Sequence, residues 1–164
     1  MRVMVACASK HGSTEGIASA IAERLLELGH DATAVRVSEV PDLSGTEAVV
    51  LGSAVYAGSW MKEAIGFADA NAAALSDMPV WLFSSGPLGT EVHDDEEQPR
   101  QLAELTEKLR PEAHRMFFGA LDHGKLSFGE RMMVKAVKAP EGDFRDWNAI
   151  SGWADEIARE LIES

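Results

Sequence analysis

The segment Ser9-Lys10-His11-Gly12-Ser13-Thr14 has the composition of an anion cradle. It stands between an apolar run, Val3-Met4-Val5-Ala6-Cys7-Ala8, and a long helical pattern. Where a strand turns directly into a helix, the first-turn N–H groups lack intrahelical acceptors and the helix dipole favours negative charge. The Ser and Thr hydroxyls add donors, and Gly12 lets the backbone come close to a ligand. Holding a phosphate group is the chemistry these residue types suit at this spacing.

Two later segments complete the pattern. Ser53 is followed by Ala54, Val55, Tyr56, Ala57, Gly58, Ser59 and Trp60; Ser84 is followed by Ser85, Gly86, Pro87, Leu88 and Gly89. Loops that only connect elements are polar, whereas these mix small residues with Tyr56, Trp60 and Leu88. Flat or apolar surface beside exposed backbone suits a planar aromatic ligand.

The elements that must bring these segments together alternate along the chain. Arg2–Ala8, Ala32–Val37, Ala48–Ala54, Pro79–Ser84 and His114–Leu121 read as five strands. Helical patterns lie between or after them at Ser13–Leu28, Met61–Ala74, Arg100–Leu109 and a last helix capped by Asp143. The first helix carries Ile17, Ile21, Leu25 and Leu28 on one stripe and stops at Gly29; the last carries Trp147, Ile150, Trp153, Ile157 and Leu161. Such alternation means an α/β fold with a doubly wound parallel sheet, helices on both faces and strand order 2-1-3-4-5. Ligands bind such sheets outside the carboxyl ends of the strands, at the switch point between strands 1 and 3. Neither an internal repeat nor a linker divides residues 1–164, so one domain is expected.

The bulk numbers exclude several classes. A net charge of −12 argues against nucleic-acid binding and is compatible with docking onto a basic protein partner. No stretch holds the about 18 apolar residues of a membrane span, and the N-terminal run is too short for a signal peptide, so a cytoplasmic protein is expected. Cys7 is the lone cysteine and belongs with the core of its strand. His93, His114 and His123 lack metal-ligand spacing and read as surface residues, with no metal site; His11, beside the phosphate turn, reads as a ligand contact. Neither G-x-x-x-x-G-K-[ST] nor G-x-G-x-x-G occurs, which disfavours P-loop and dinucleotide-binding readings. Gly12-Ser13-Thr14-Glu15-Gly16 has Thr where a hydrolase elbow needs Ser, and Cys7, Ser9 and Lys10 stand where a phosphotransfer receiver needs acids.

On the phosphate turn and the two loops, the chain resembles the flavodoxin family. Within that family it looks closest to the menaquinone-dependent protoporphyrinogen oxidase-like branch, through Gly52-Ser53-Ala54-Val55-Tyr56-Ala57-Gly58, Phe117-Phe118-Gly119-Ala120-Leu121, a following basic segment and Asp146-Trp147. The resemblance implies a flavodoxin-like fold and FMN as cofactor. It implies that Ser9, Lys10, His11, Gly12, Ser13 and Thr14 hold the phosphate while Ala54–Trp60 and Ser85–Gly89 flank the ring. The turn reads His11-Gly12-Ser13-Thr14 where flavodoxins usually have Thr-Gly-Asn-Thr, and Leu88 leaves more open a ring face that many of them cover with Tyr.

Three functions stay open on these residues: a quinone-linked oxidoreductase, an electron carrier between a reductase and an acceptor enzyme, and a flavin-free interaction module on the same fold. Two charge runs bear on the choice. Glu91, Asp94, Asp95, Glu96 and Glu97 crowd the segment after the third loop, where negative charge would disfavour a reduced, anionic flavin and attract a basic redox partner. Arg131, Lys135 and Lys138 share one helix face beside Met132, Met133, Ala136 and Val137, a pattern of either an ordinary surface helix or one that lies on an anionic membrane, where quinones reside.

Overall fold

The computed structural model describes residues 1–9, 12–40, 42–56, 59–86, 102–117, 120–121, 142–143 and 146–163. Its frame is a sheet in which β1 (Arg2–Ala8) lies between β2 (Asp31–Arg36) and β3 (Ala48–Tyr56), followed outward by β5 (Val80–Ser85) and β6 (Ala113–Phe117). All four junctions are parallel. Omitting β4 (Ser59–Trp60), a short antiparallel return on the end of β3, leaves the expected order 2-1-3-4-5.

Both faces of the sheet are covered, which is why its central strands are apolar on both sides. On one face α1 (Ser13–Glu27) buries Ile17, Ile21 and Leu25, and α5 (Trp147–Glu163) buries Ile150, Trp153, Ile157 and Leu161, against Val5, Cys7, Trp81 and Phe83. The rings of Phe83, Phe117 and Trp153 meet mutually tilted, with centroids 5.6–6.2 Å apart, within the range of favourable aromatic pairs. Arg24 joins Asp155 at 2.6 Å and Arg115 joins Glu156 at 2.9 Å, tying α5 to α1 and to β6. On the other face α2 (Lys62–Ala70), α3 (Ala72–Ser76) and α4 (Leu102–Leu109) pack Phe67, Leu75, Leu105 and Leu109 against Ala6, Leu51 and Leu82. Gly52 is required by packing: the Phe83 ring occupies the place a Cβ would take.

Several sequence expectations change. The single helix over Met61–Ala74 is two, interrupted at Asn71, whose side-chain amide donates to the Phe67 carbonyl at 2.9 Å while its backbone leaves helical geometry. The strand expected over His114–Leu121 ends at Phe117; β7 (Ala120–Leu121) instead pairs antiparallel with β8 (Gly142–Asp143). Asp143 therefore lies in a strand and does not cap the last helix. Asp146 does, its carboxylate accepting the Ala149 N–H at 3.1 Å. Trp147 follows as the first helical residue and is 43% exposed, so it stands outside the core stripe, as does Leu28 of the first helix pattern. Gly29 stops α1 as expected, with φ +94°.

Candidate functional site

Parallel pairing carries the exits of β1, β3 and β5 to one edge of the sheet. Cys7 and Ala8 lie opposite Gly52 and Ser53, and Ser53 and Ala54 lie opposite Ser84 and Ser85. The three loops singled out in the sequence thus begin side by side.

The first exit is a closed turn. The Ser9 hydroxyl accepts the Gly12 N–H at 3.0 Å, and the Gly12 carbonyl accepts the first helical bond from Gly16 at 3.1 Å. Gly12 has φ +88°, the left-handed region where a side chain is strained although open space surrounds it. The Ser9 oxygen thereby shapes the turn, and its own hydroxyl proton stays available to donate. Beside it, the donors that the described residues offer a ligand are the first-turn N–H groups of α1 and the Thr14 hydroxyl. Thr14 is fully buried, and its Oγ1 has no hydrogen-bond partner among the described residues. A buried hydroxyl without a partner costs about 1–3 kcal/mol, so a first-turn Thr in this state is explained by a ligand that supplies the partner. This geometry fits a phosphate oxygen. Ser13 is the first residue of α1, and Lys10 and His11 lie outside the described residues.

Among the described residues, the charged groups beside the turn pair with each other. Glu15, in the first turn of α1, pairs with Arg36 at the end of β2 at 2.5 Å, which raises the Arg36 pKa further. Burial, reinforced by Glu15 and opposed by Arg36, pushes the Cys7 thiol up to about 12. It is an inert core group, as expected from its strand.

The second exit is a hairpin rather than an open loop. Val55 pairs with Trp60 and Tyr56 with Ser59, so Ala57 and Gly58, which lie outside the described residues, connect two antiparallel strands. The Ser53 hydroxyl donates to the Ala54 carbonyl at 2.8 Å and accepts the Met61 N–H at 2.9 Å. Trp60 does not offer an open ring: it is 3% exposed, packs in the core beneath α2, and donates its indole N–H to the Ser84 hydroxyl at 2.8 Å. Ala54 is buried and Val55 half-buried.

At the third exit Ser85 is buried, and Gly86 takes φ +100° while donating its N–H to the Phe117 carbonyl at 2.8 Å. A Cβ on Gly86 would stand 3.6 Å from the Val55 carbonyl oxygen, so the second and third exits touch. Pro87, Leu88 and Gly89 lie outside the described residues, as do the Glu91–Glu97 run, Arg131, Lys135, Lys138, His93 and His123.

Sequence reasoning misplaced His114 as well as the Trp60 ring. His114 is not a surface group: its Nε2 lies 2.8 Å from the Ser84 hydroxyl, and burial, helped by Arg115, lowers its pKa to about 4. The available signal was the pair Ser53 and Ser84, two hydroxyls at the ends of adjacent apolar strands, which must find partners when buried. Among the described residues no group of His, Cys, Asp and Glu could hold a metal ion, and no helix is long and apolar enough to cross a membrane.

Comparison with known proteins agrees with this architecture. A family model described as a flavodoxin domain matches residues 4–148. Protoporphyrinogen IX dehydrogenase [quinone] of Escherichia coli strain K12 is 24% identical, over 96% of this chain and 95% of its own length. A flavodoxin from the domain Archaea superposes with a TM-score of 0.68 at 16% identity, over 98% of this chain and 99% of that one. The rubredoxin oxygen:oxidoreductase of Desulfovibrio gigas does so with a TM-score of 0.67 at 16% identity; 99% of this chain is covered, but only 36% of that protein.

Proposed function

Because the chain belongs to the flavodoxin-domain family, and is therefore an FMN-type redox protein, we propose that it works as a single domain that oxidises an organic substrate and passes the electrons to a quinone. The observation that carries the cofactor assignment is the buried Thr14 hydroxyl, which lacks a partner at the first turn of α1. Bound FMN would supply the electron transfer itself. The protein's contribution is to hold the cofactor and to shape access to it. Thr14 and the first-turn N–H groups of α1 bind the phosphate, with Ser9 and Gly12 setting the turn, Ser13 beside them, and Lys10 and His11 adding positive charge. The hairpin through Ala54, Val55, Tyr56, Ala57, Gly58 and Trp60 and the loop through Ser85, Gly86, Pro87, Leu88 and Gly89 flank the ring.

Support for the quinone acceptor comes from the E. coli dehydrogenase, whose likeness runs along nearly the whole of both chains. A second reading, a carrier moving electrons between two proteins in the cytoplasm, is favoured by the net charge of −12, which would steer a basic partner. Purified protein reconstituted with FMN separates them. Sustained quinone reduction with protoporphyrinogen as donor is expected of the oxidoreductase, and a single stoichiometric exchange of a carrier. Peripheral membrane contact through Arg131, Lys135 and Lys138 belongs to the quinone reading; co-sedimentation with anionic liposomes that survives charge reversal at all three positions overturns it.

A further inference from the structure

A line of two hydrogen bonds, one buried and one half-buried, runs behind the hairpin of the second exit. The Trp60 indole N–H donates to Ser84 Oγ at 2.8 Å, and Ser84 Oγ lies 2.8 Å from His114 Nε2 on the neighbouring strand. An indole N–H can only donate, so it occupies a lone pair of the Ser84 hydroxyl and leaves that hydroxyl's own proton to be placed. Among the described residues His114 Nε2 is the acceptor within reach of it. The imidazole is then neutral, carries its proton on Nδ1, and fixes the Ser84 rotor in the one orientation that receives Trp60.

The hairpin needs such an anchor. β4 has only two residues, and a ribbon with two pairs has little stability of its own. Ser53 holds the hairpin at its base, through the Met61 N–H. Trp60 holds the returning strand, and its grip depends on Ser84, the register partner of Ser53. We propose that His114 is a positioning residue for the ring-flanking hairpin, acting through Ser84 and Trp60 from the neighbouring strand β6 on the same face of the sheet and without touching the cofactor. This rests on the reading that the hairpin flanks the FMN ring.

Several of the charged groups on the elements packed about the imidazole are paired. Arg115, next on β6, pairs with Glu156 of α5. On the helices of the same face, Lys108 of α4 pairs with Glu104 and with Asp69 of α2; Glu107 of α4 and Lys62 and Glu63 of α2 complete the charged set there. The lowered pKa of His114 agrees with an imidazole kept neutral at physiological pH.

The test compares His114→Leu, His114→Gln and Ser84→Ala with the unaltered chain. In cofactor-free protein the indole N–H resonance of Trp60, assigned through Trp60→Phe, should shift in His114→Leu and Ser84→Ala and return in His114→Gln, whose amide can accept the same proton. Binding of riboflavin, which has the ring and no phosphate, should weaken about fivefold in the first two, as expected for one lost neutral hydrogen bond, and recover in the Gln variant. Inorganic phosphate should compete with FMN equally well in all of them. An unmoved Trp60 resonance, or riboflavin binding indifferent to His114→Leu, overturns the proposal. Should His114→Leu fail to fold, His114→Ala serves in its place, and should His114→Gln fail, His114→Asn carries the rescue. Failure of the unaltered chain to bind FMN overturns the functional reading instead, and shows before any substitution is made.

Discussion

Thr14 is the residue at which stability and binding are opposed. Its hydroxyl is fully buried and lacks a partner among the described residues, so it disfavours the cofactor-free fold, and in the proposed site a phosphate oxygen would satisfy it. Thr14→Val removes the hydroxyl at nearly constant shape. The cofactor-free variant should be more stable to thermal or urea unfolding by about 1 kcal/mol, while FMN binding weakens roughly tenfold to a hundredfold, the range for a hydrogen bond to a charged group. Parallel loss of both stability and affinity would show that Thr14 serves packing alone. His114 is opposed in a different way, through pH. Its folded pKa is depressed to about 4 from 6.5, so between those values the unfolded chain takes up a proton that the folded one refuses. Stability should therefore fall as pH drops from about 6.5 toward 4, by no more than about 3 kcal/mol and by less where solvent screens the ring, with no contribution from this group above that window. His114→Gln should flatten that part of the unfolding profile.

At the scale of elements, strands β1, β3 and β5 act as rails that deliver three loops to one edge, and their spacing depends on how the sheet packs. Gly52 sets part of it, because the Phe83 ring lies where a side chain would begin, in contact with Phe117 and Trp153. Gly52→Ala should cost about 1–3 kcal/mol or more by overpacking, read as a lower urea midpoint with an unchanged slope. Since the displaced ring joins β5 to α5, the same variant should also loosen FMN binding although no cofactor contact is altered. Gly12 differs: a side chain there has room but the wrong backbone region, so its cost is strain at the phosphate turn.

For the molecule as a whole, the governing quantity is charge. A net −12 on 164 residues makes long-range attraction to a basic redox partner strong and salt-sensitive. Reduction of a basic haem protein by the FMN-loaded chain should slow about tenfold or more between roughly 0.02 and 0.3 M salt, whereas exchange with an uncharged quinone should stay nearly constant. Neutralising Glu91, Asp94, Asp95, Glu96 and Glu97 should reduce that salt dependence and raise the lower reduction potential of the flavin. An unaltered potential would show that the run is too distant from the ring to act on it.

The order of the sheet and the convergence of three loops were legible in the sequence, because both follow from local pattern and chain connectivity. Apolar runs alternating with amphipathic helices leave a parallel sheet, and right-handed crossovers leave few orders for it. The turn between β1 and α1 was legible for the same reason, since Ser9, Gly12 and Thr14 lie within one strand-to-helix step. What only the tertiary structure decided were relations across sequence distance. The β7–β8 pair took Asp143 from the cap that Asp146 then supplied. Trp60, read as an open platform, became a buried anchor, and His114, read as a surface group, became its distant support, through a serine 24 residues from the first and 30 from the second. Propensity and periodicity act on neighbours along the chain, whereas a buried donor is satisfied by whichever acceptor the finished sheet places within 3 Å of it.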